Sequence, residues 1–163
     1  MKIVIISDTH RKDDLFYKVV KKEAPFDLLI HAGDTEGSET FFAQTPGVTG
    51  KMHYVAGNND FFTDAPYDEI FYIGPHRVFL THGHHYQVGI SEERLLDEAN
   101  AQNARIVIYG HTHRPVVREE NGILVINPGS LGYPRQYGRV PSYAVLEVSD
   151  APEFALSCEI RYL

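Results

Sequence analysis

The 163-residue sequence has no tryptophan, two methionines and a single cysteine, Cys158. A lone thiol forms no disulfide within the chain, which excludes a disulfide-stapled scaffold and points to a reducing compartment. No apolar run approaches the ~20 residues needed to span a bilayer. The opening Met1-Lys2-Ile3-Val4-Ile5-Ile6-Ser7-Asp8 reaches an acid too early for a secretory signal. The expected location is therefore cytoplasmic, with no membrane partner. Positive charge is also scarce, with 15 Lys and Arg against 22 Asp and Glu, a formal net charge of −7. Such a chain repels polyanions at long range, which weighs against polymeric nucleic acid as a partner.

What is present is ordinary in bulk and unusual in detail. Hydrophobic residues make up 43% and charged residues 23%, as in a globular protein. The length suits one domain over 1–163, enough to bury about 70% of the unfolded surface without staples. No repeat, low-complexity tract or linker interrupts it. Nine histidines stand out, and their placement matters more than their number.

Short β-rich runs alternate with helical stretches, the signature of an α/β class. Lys2–Ser7 reads as a strand buried on both faces. Lys12–Glu23 has Leu15, Phe16, Val19 and Val20 at helical spacing and is stopped by Pro25. Further strands are expected over Asp27–Ala32, Lys51–Ala56, Arg77–Thr81 and Arg105–Tyr109. Helices are expected over Ser38–Gln44 and Ser91–Asn103, with Ser38 and Ser91 as N-caps. After residue 114 the texture turns to strands alone: Pro115–Glu119, Ile123–Ile126, Tyr143–Val148 and Phe154–Arg161, with turn signals such as Asn121-Gly122.

The ends of these runs share one chemistry. The first ends in Asp8-Thr9-His10, the second in Gly33-Asp34 and the third in Gly57-Asn58-Asn59-Asp60. The next two give His82-Gly83-His84 and Gly110-His111-Thr112-His113. Each alone has a bland explanation: a solvated turn, an Asx-turn, or a surface histidine pair. Together they are different, because sites in open α/β sheets form beyond the carboxyl ends of the strands. The pattern predicts one shared site.

Asp, Asn and His donors without thiolate disfavour a structural cysteine-type zinc site and suit Mn²⁺, Fe, Zn²⁺ or Ni²⁺, with Mn²⁺ first. Asp8, His10, Asp34, Asn58, His82, His111 and His113 are too many for one tetrahedral ion but fit two ions sharing a carboxylate. Two divalent ions bring about +4, two aspartates remove 2, and a bridging hydroxide would leave about +1. That surplus suits an anionic phosphate ester.

The order Asp-x-His, Gly-Asp, Gly-Asn-x-Asp, His-Gly-His and Gly-His-x-His resembles the calcineurin-like metallophosphoesterases, in particular their small YfcE-like phosphodiesterase branch. The resemblance runs from Asp8 to the Asn127-Pro128-Gly129-Ser130 turn. It implies a four-layer αββα sandwich with a dinuclear site at the top of two packed sheets. It further implies that Asp8, His10 and His113 bind one metal, that Asn58, His82 and His111 bind the other, and that Asp34 bridges both. The implied mechanism is in-line attack on phosphorus by a hydroxide that the two cations activate.

One position departs from the larger members of the superfamily. They carry histidine directly after the asparagine to assist the leaving group, whereas this chain has Asn59, which transfers no proton at ordinary pH. His84, two residues past His82, is the candidate for acid or phosphate contact, against a purely packed histidine. Asp60 is read as an acceptor orienting an imidazole from behind, against a turn cap. His31 reads as a packed histidine behind the site, His85 as a solvated neighbour, and His53 and His76 lack ligand spacing. Arg11 and Arg114 follow ligand motifs and either touch phosphate or are solvated. The Asn127–Ser130 turn is read first as packing. Tyr133, Arg135, Tyr137 and Arg139 interleave aromatics with basic residues, which leaves base stacking and a homo-oligomer contact both open.

The leading expectation is a metal-dependent phosphodiesterase acting on small diesters. The alternatives are an interaction scaffold on the same fold, as the resemblance to retromer's phosphoesterase-like subunit suggests, and a nuclease on polymeric DNA. Competent donors at every ligand position argue against the first, and the negative charge argues against the second.

Overall fold

Continuous Ile and Val over residues 3–6 produce the strand β1 (Lys2–Ile6), in which Ile3, Val4, Ile5 and Ile6 have no exposed surface. The computed structural model describes residues 1–163. In it β1 pairs in parallel with β2 (Leu28–His31), and β2 in turn with β3 (Met52–Tyr54). On the other side β1 pairs antiparallel with β9 (Ser142–Val148), which pairs with β10 (Leu156–Tyr162). The first sheet therefore runs β10-β9-β1-β2-β3. The second has the order β4-β5-β6-β8-β7, from β4 (Asp68–Ile73), β5 (His76–Thr81), β6 (Ile106–Ile108), β7 (Pro115–Glu120) and β8 (Ile123–Pro128). Its inner strands β5, β6 and β8 are parallel to one another.

The period of two along each strand sorts the side chains into layers. Ile3, Ile5, Ile30 and Ala32 of the first sheet meet Val78, Leu80, Ile106, Ile108 and Ile126 of the second. The alternate residues Val4, Ile6 and Leu29 face α1 (Asp13–Glu23) and α2 (Glu39–Gln44) through Phe16, Val19 and Phe42. Phe79, Val107 and Val125 face α3 (Glu93–Ala101) through Leu95 and Ala99. The result is the four-layer αββα arrangement. Each fully buried aliphatic side chain contributes roughly 1.5–3 kcal/mol. No helix is long and apolar enough to cross a membrane.

One buried acid ties these layers at the edge. Glu23, at the end of α1, accepts a hydrogen bond from the Tyr143 hydroxyl at 2.6 Å. Its other oxygen lies 2.8 Å from Lys2 Nζ and 2.6 Å from an Arg161 guanidinium nitrogen. Burial pushes its carboxyl up, but these donors and the nearby positive charge bring it down to about 2.

The structure departs from the sequence reading in places. The strand β4 was not expected; Ile70, Phe71 and Ile73 ahead of Gly74-Pro75 carry the signal, but the acidic start Asp68-Glu69 obscures it. Ser38 takes the expected N-cap position of α2, and its carbonyl accepts from the Phe42 amide at 3.0 Å, but its hydroxyl makes no cap bond and donates instead to both carboxylate oxygens of Asp13 at 2.9 and 3.0 Å, which links α2 to α1. Ser91 lies one residue before the observed cap, Glu92, and its hydroxyl accepts from the Glu93 amide at 3.2 Å.

Candidate metal centre

Because β1, β2 and β3 are parallel and in register, their carboxyl ends release Asp8, Asp34 and Asn58 at one level. The parallel set β5, β6 and β8 does the same for His82, His111 and the Asn127 turn. Packing the two sheets face to face brings both groups to one end of the sandwich. The seven residues named from the sequence, scattered from position 8 to position 113, lie around one pocket lined by His10, Asp34, Asn58, His111 and His113, with Asp8 and His82 buried beneath.

The imidazoles are aimed. His10 Nδ1 donates to Glu36 Oε1 at 2.7 Å, His82 Nδ1 to the Ala32 carbonyl at 2.6 Å, and His113 Nδ1 to the Tyr133 carbonyl at 2.6 Å. In each case Nε2 is left to face the pocket, the arrangement expected of a metal-binding histidine held by a bond on its far side. Ligand atoms of Asp8, His10, Asp34 and His113 all lie within 4.8 Å of one another. Asp8 Oδ1 is fully buried and accepts no hydrogen bond, with His113 Nε2 3.0 Å away. A buried carboxylate oxygen without a donor is costly, and a cation at this point would satisfy it. The residues present fit a metal ion.

A second group lies across Asp34. Asp34 Oδ2 is 3.6 Å from His10 Nε2 and 3.5 Å from His82 Nε2. Asn58 Oδ1 lies 3.2 Å from His82 Nε2 and 2.9 Å from His111 Nδ1. Asp34 thus stands between two sets of donors.

The electrostatics follow from burial. Desolvation pushes Asp34 up, but hydrogen bonding from His82, the His82 charge and the two Asn59 contacts hold it far below the usual carboxylate range. Asp8 is lowered as well, with desolvation outweighed by His113 and His82. Burial pulls His82 down, yet the hydrogen bond to Asp34 and the charges of Asp8 and Asp34 push it up to about 9. His84 goes the other way, to about 4, through burial and then the charges of His82, His85 and His111.

Two motif glycines have a steric role. A Cβ at Gly57 would stand 2.1 Å from Asp34 Oδ1, and one at Gly110 would stand 2.1 Å from Ser7 Oγ and 2.8 Å from Asp8 Oδ2. Each glycine admits the carboxylate of a different motif. The donors themselves occupy strained backbone: Asp8, His10, Asp34, His111 and His113 have φ of 52°, 44°, 59°, 66° and 58°. Non-glycine residues seldom adopt this left-handed region, and they collect there at functional sites.

The remaining expected residues divide. Asp60 accepts from the backbone amides of Asp34, Glu36 and Gly57 at 2.7, 2.6 and 2.8 Å and from the Thr35 hydroxyl at 3.1 Å. None of its bonds is to an imidazole, so it fixes the loop carrying Asp34. His84 lies in a 3-10 turn, His84–Tyr86, with ring centroids 5.4 Å from His82 and 6.3 Å from His111; its buried Nδ1 has no partner. His31 is buried and lies 3.2 Å from the Thr9 hydroxyl. His53 and His76 lie elsewhere, against Glu69 and the Phe154 carbonyl. The Asn127–Ser130 turn does more than pack: Asn127 Nδ2 donates to the Gly110 carbonyl and Thr112 Oγ1, and Ser130 Oγ to the Asp8 carbonyl. Glu36, Ser7 and Asn59 also support the site, through His10, Asp8 and Asp34 in turn, and the sequence reading assigned none of them that task.

The family model described as the calcineurin-like phosphoesterase superfamily domain matches residues 1–151. A phosphodiesterase of Methanocaldococcus jannaschii is 31% identical over 145 residues, covering 79% of this chain and 83% of that protein. A predicted phosphoesterase of Streptococcus pneumoniae superposes with a TM-score of 0.79 at 26% identity, over 98% of this chain and 97% of that one. A variant of Vps29 from Entamoeba histolytica gives 0.78 at 23% identity over 100% and 99%, a likeness of fold alone.

Proposed function

The chain belongs to the calcineurin-like phosphoesterase superfamily, and on that premise we propose that it is a metal-dependent phosphodiesterase that hydrolyses small phosphodiesters at a two-metal centre. The observation that carries this reading is the position of Asp34 Oδ2, 3.6 Å from His10 Nε2 and 3.5 Å from His82 Nε2. One carboxylate oxygen so placed serves two donor sets at once. Asp8, His10 and His113 would hold one cation with Asp34; Asn58, His82 and His111 would hold the other with the same aspartate. Mn²⁺ suits these oxygen and imidazole donors best, with Fe, Zn²⁺ and Ni²⁺ next. When bound, the cations supply the positive charge that acidifies a water molecule and draws off charge from the phosphoryl oxygens.

The chain's own residues supply the rest. Glu36 and the carbonyls of Ala32 and Tyr133 keep the imidazoles aimed. Asp60 fixes the loop that presents Asp34. Asn58, as a neutral donor, leaves the site with a net positive surplus where an aspartate would cancel it. His84 contacts the phosphoryl group from beside His82 and His111. The scaffold reading has nothing comparable in its favour, since all seven positions hold competent donors around one pocket.

The test is hydrolysis of bis(p-nitrophenyl) phosphate and of p-nitrophenyl phosphate, with added Mn²⁺ and with chelator. Metal-dependent turnover of the diester, abolished by chelation, is the expected result. Absence of metal-dependent turnover of both esters would overturn the reading.

A further inference from the structure

Beside the metal pocket lies a recess of about 570 Å³ lined by Arg114, Gly132, Tyr133, Pro134, Arg135 and Arg139. Tyr133 and Arg135 line the metal pocket as well, so the two spaces adjoin. Arg114 and Arg135 also border the cleft beside His111. None of the three guanidinium groups pairs with a carboxylate or donates a hydrogen bond; of the other six arginines, Arg105, Arg118 and Arg161 pair with glutamates, while Arg11, Arg77 and Arg94 pair with none and do not line this recess. In a chain of net charge −7, acids to pair with are plentiful. Arg114, Arg135 and Arg139 are exposed, and what sets them apart is that all three converge on one recess beside the metal pocket, a concentration of positive charge that suits an anion.

The segment that carries them is held in place. The Arg135 amide donates to the His113 carbonyl at 3.0 Å, and the Tyr133 amide to Ser130 Oγ at 2.8 Å. Lys12 Nζ stands 5.7 Å from the centre of the Tyr133 ring, adding a fourth cation on the same side. A second surface adjoining the pocket through Glu36 and Asn59 has the reverse character: Glu36, Glu39 and Asp60 with the exposed Phe61 and Phe62, and no cation. The reacting phosphate does not account for the arginines. A two-metal centre with this ligand set keeps a surplus of about +1, which a singly charged diester neutralises by itself.

Resting on the phosphodiesterase reading above, we infer that the Arg114–Arg135–Arg139 recess is a subsite for a second phosphoryl group of the substrate. The substrate class is then a phosphodiester bearing a further phosphate, with its uncharged leaving group towards Phe61 and Phe62. Guanidinium forks suit this task because they bind phosphate oxygens in pairs.

The experiment compares two esters that differ only in that group: thymidine 5′-(p-nitrophenyl phosphate) with and without a 3′-phosphate, each with the Mn²⁺-loaded protein. The expected result is a kcat/KM at least about tenfold higher for the 3′-phosphorylated ester, a step equivalent to one charge-assisted contact. Arg139→Gln and Arg114→Gln should each reduce that preference several-fold, chiefly through KM, with Arg139→Lys intermediate because it keeps charge but loses the fork. Turnover of both esters with equal kcat/KM would overturn the subsite and leave the phosphodiesterase reading standing. A preference untouched by either glutamine substitution would overturn it too. Turnover of neither ester would overturn the phosphodiesterase reading, and the subsite with it.

Discussion

Asn59 grips Asp34 twice: its backbone amide donates to Asp34 Oδ1 at 2.8 Å and its side-chain amide to Oδ2 at 2.7 Å. The carboxylate that stands between the two donor sets is thus clamped by the residue at which larger relatives of this family carry a histidine. Bonds of this kind, behind a metal ligand, are worth about 10–100-fold in metal affinity. Asn59→Ala keeps the main-chain bond and loses the other, so Mn²⁺ affinity should fall about tenfold with no change in the circular dichroism spectrum. Unchanged affinity in a metal titration would show that the side-chain bond is idle.

The same substitution of amide for imidazole bears on the leaving group. Protonation by a placed acid is worth roughly 10²–10⁴-fold, and aryl leaving groups need it least. The ratio of kcat/KM for bis(p-nitrophenyl) phosphate over a dialkyl phosphate should therefore be large. It should shrink in Asn59→His, measured by colour release for the first and phosphorus NMR for the second.

Asp34 and His84 should separate cleanly by metal content. Asp34→Ala removes the shared oxygen and should empty both positions, leaving little bound metal by elemental analysis. His84→Ala should keep near-normal metal while turnover falls about 10²-fold, as for a lost contact to a developing anion. Equal metal loss in both variants would refute that division of roles.

Acid stability should report on Glu23. Its carboxyl titrates at about 2 in the folded protein, against an ordinary 4.5. The ionised carboxylate therefore stabilises the fold above pH 4.5, and that contribution is lost as pH falls from 4.5 towards 2. At roughly 1.4 kcal/mol per pKa unit the effect is about 3–4 kcal/mol. Glu23→Gln should lower the urea midpoint at pH 7 and flatten the dependence of stability on pH between 5 and 2. An unaltered acid slope would place the effect on another group.

The ends of the apolar runs were readable because each parallel strand delivers its next few residues to the same edge. Asp8, His10, Asp34, Asn58, His82, His111 and His113 can be named from that regularity alone, and the family resemblance implies how two ions would share them. The supports behind them cannot. His82 and His113 are held by the carbonyls of Ala32 and Tyr133, and a carbonyl leaves no trace in residue identity. Asp60 was placed in the right neighbourhood with the wrong partner, since its acceptors are filled by backbone amides. Ser38 takes the N-cap position that the sequence predicts, but its hydroxyl is drawn to Asp13, a neighbour in space that lies a full helix and strand away in sequence.

The left-handed backbone beneath Asp8, His10, Asp34, His111 and His113 sets endurance against chemistry in this protein. An L-residue held there costs roughly 1–2 kcal/mol that glycine would not. Exchanging His111 for glycine should yield a chain that melts later and does no work, so heat resistance gained at these corners would signal a disabled enzyme.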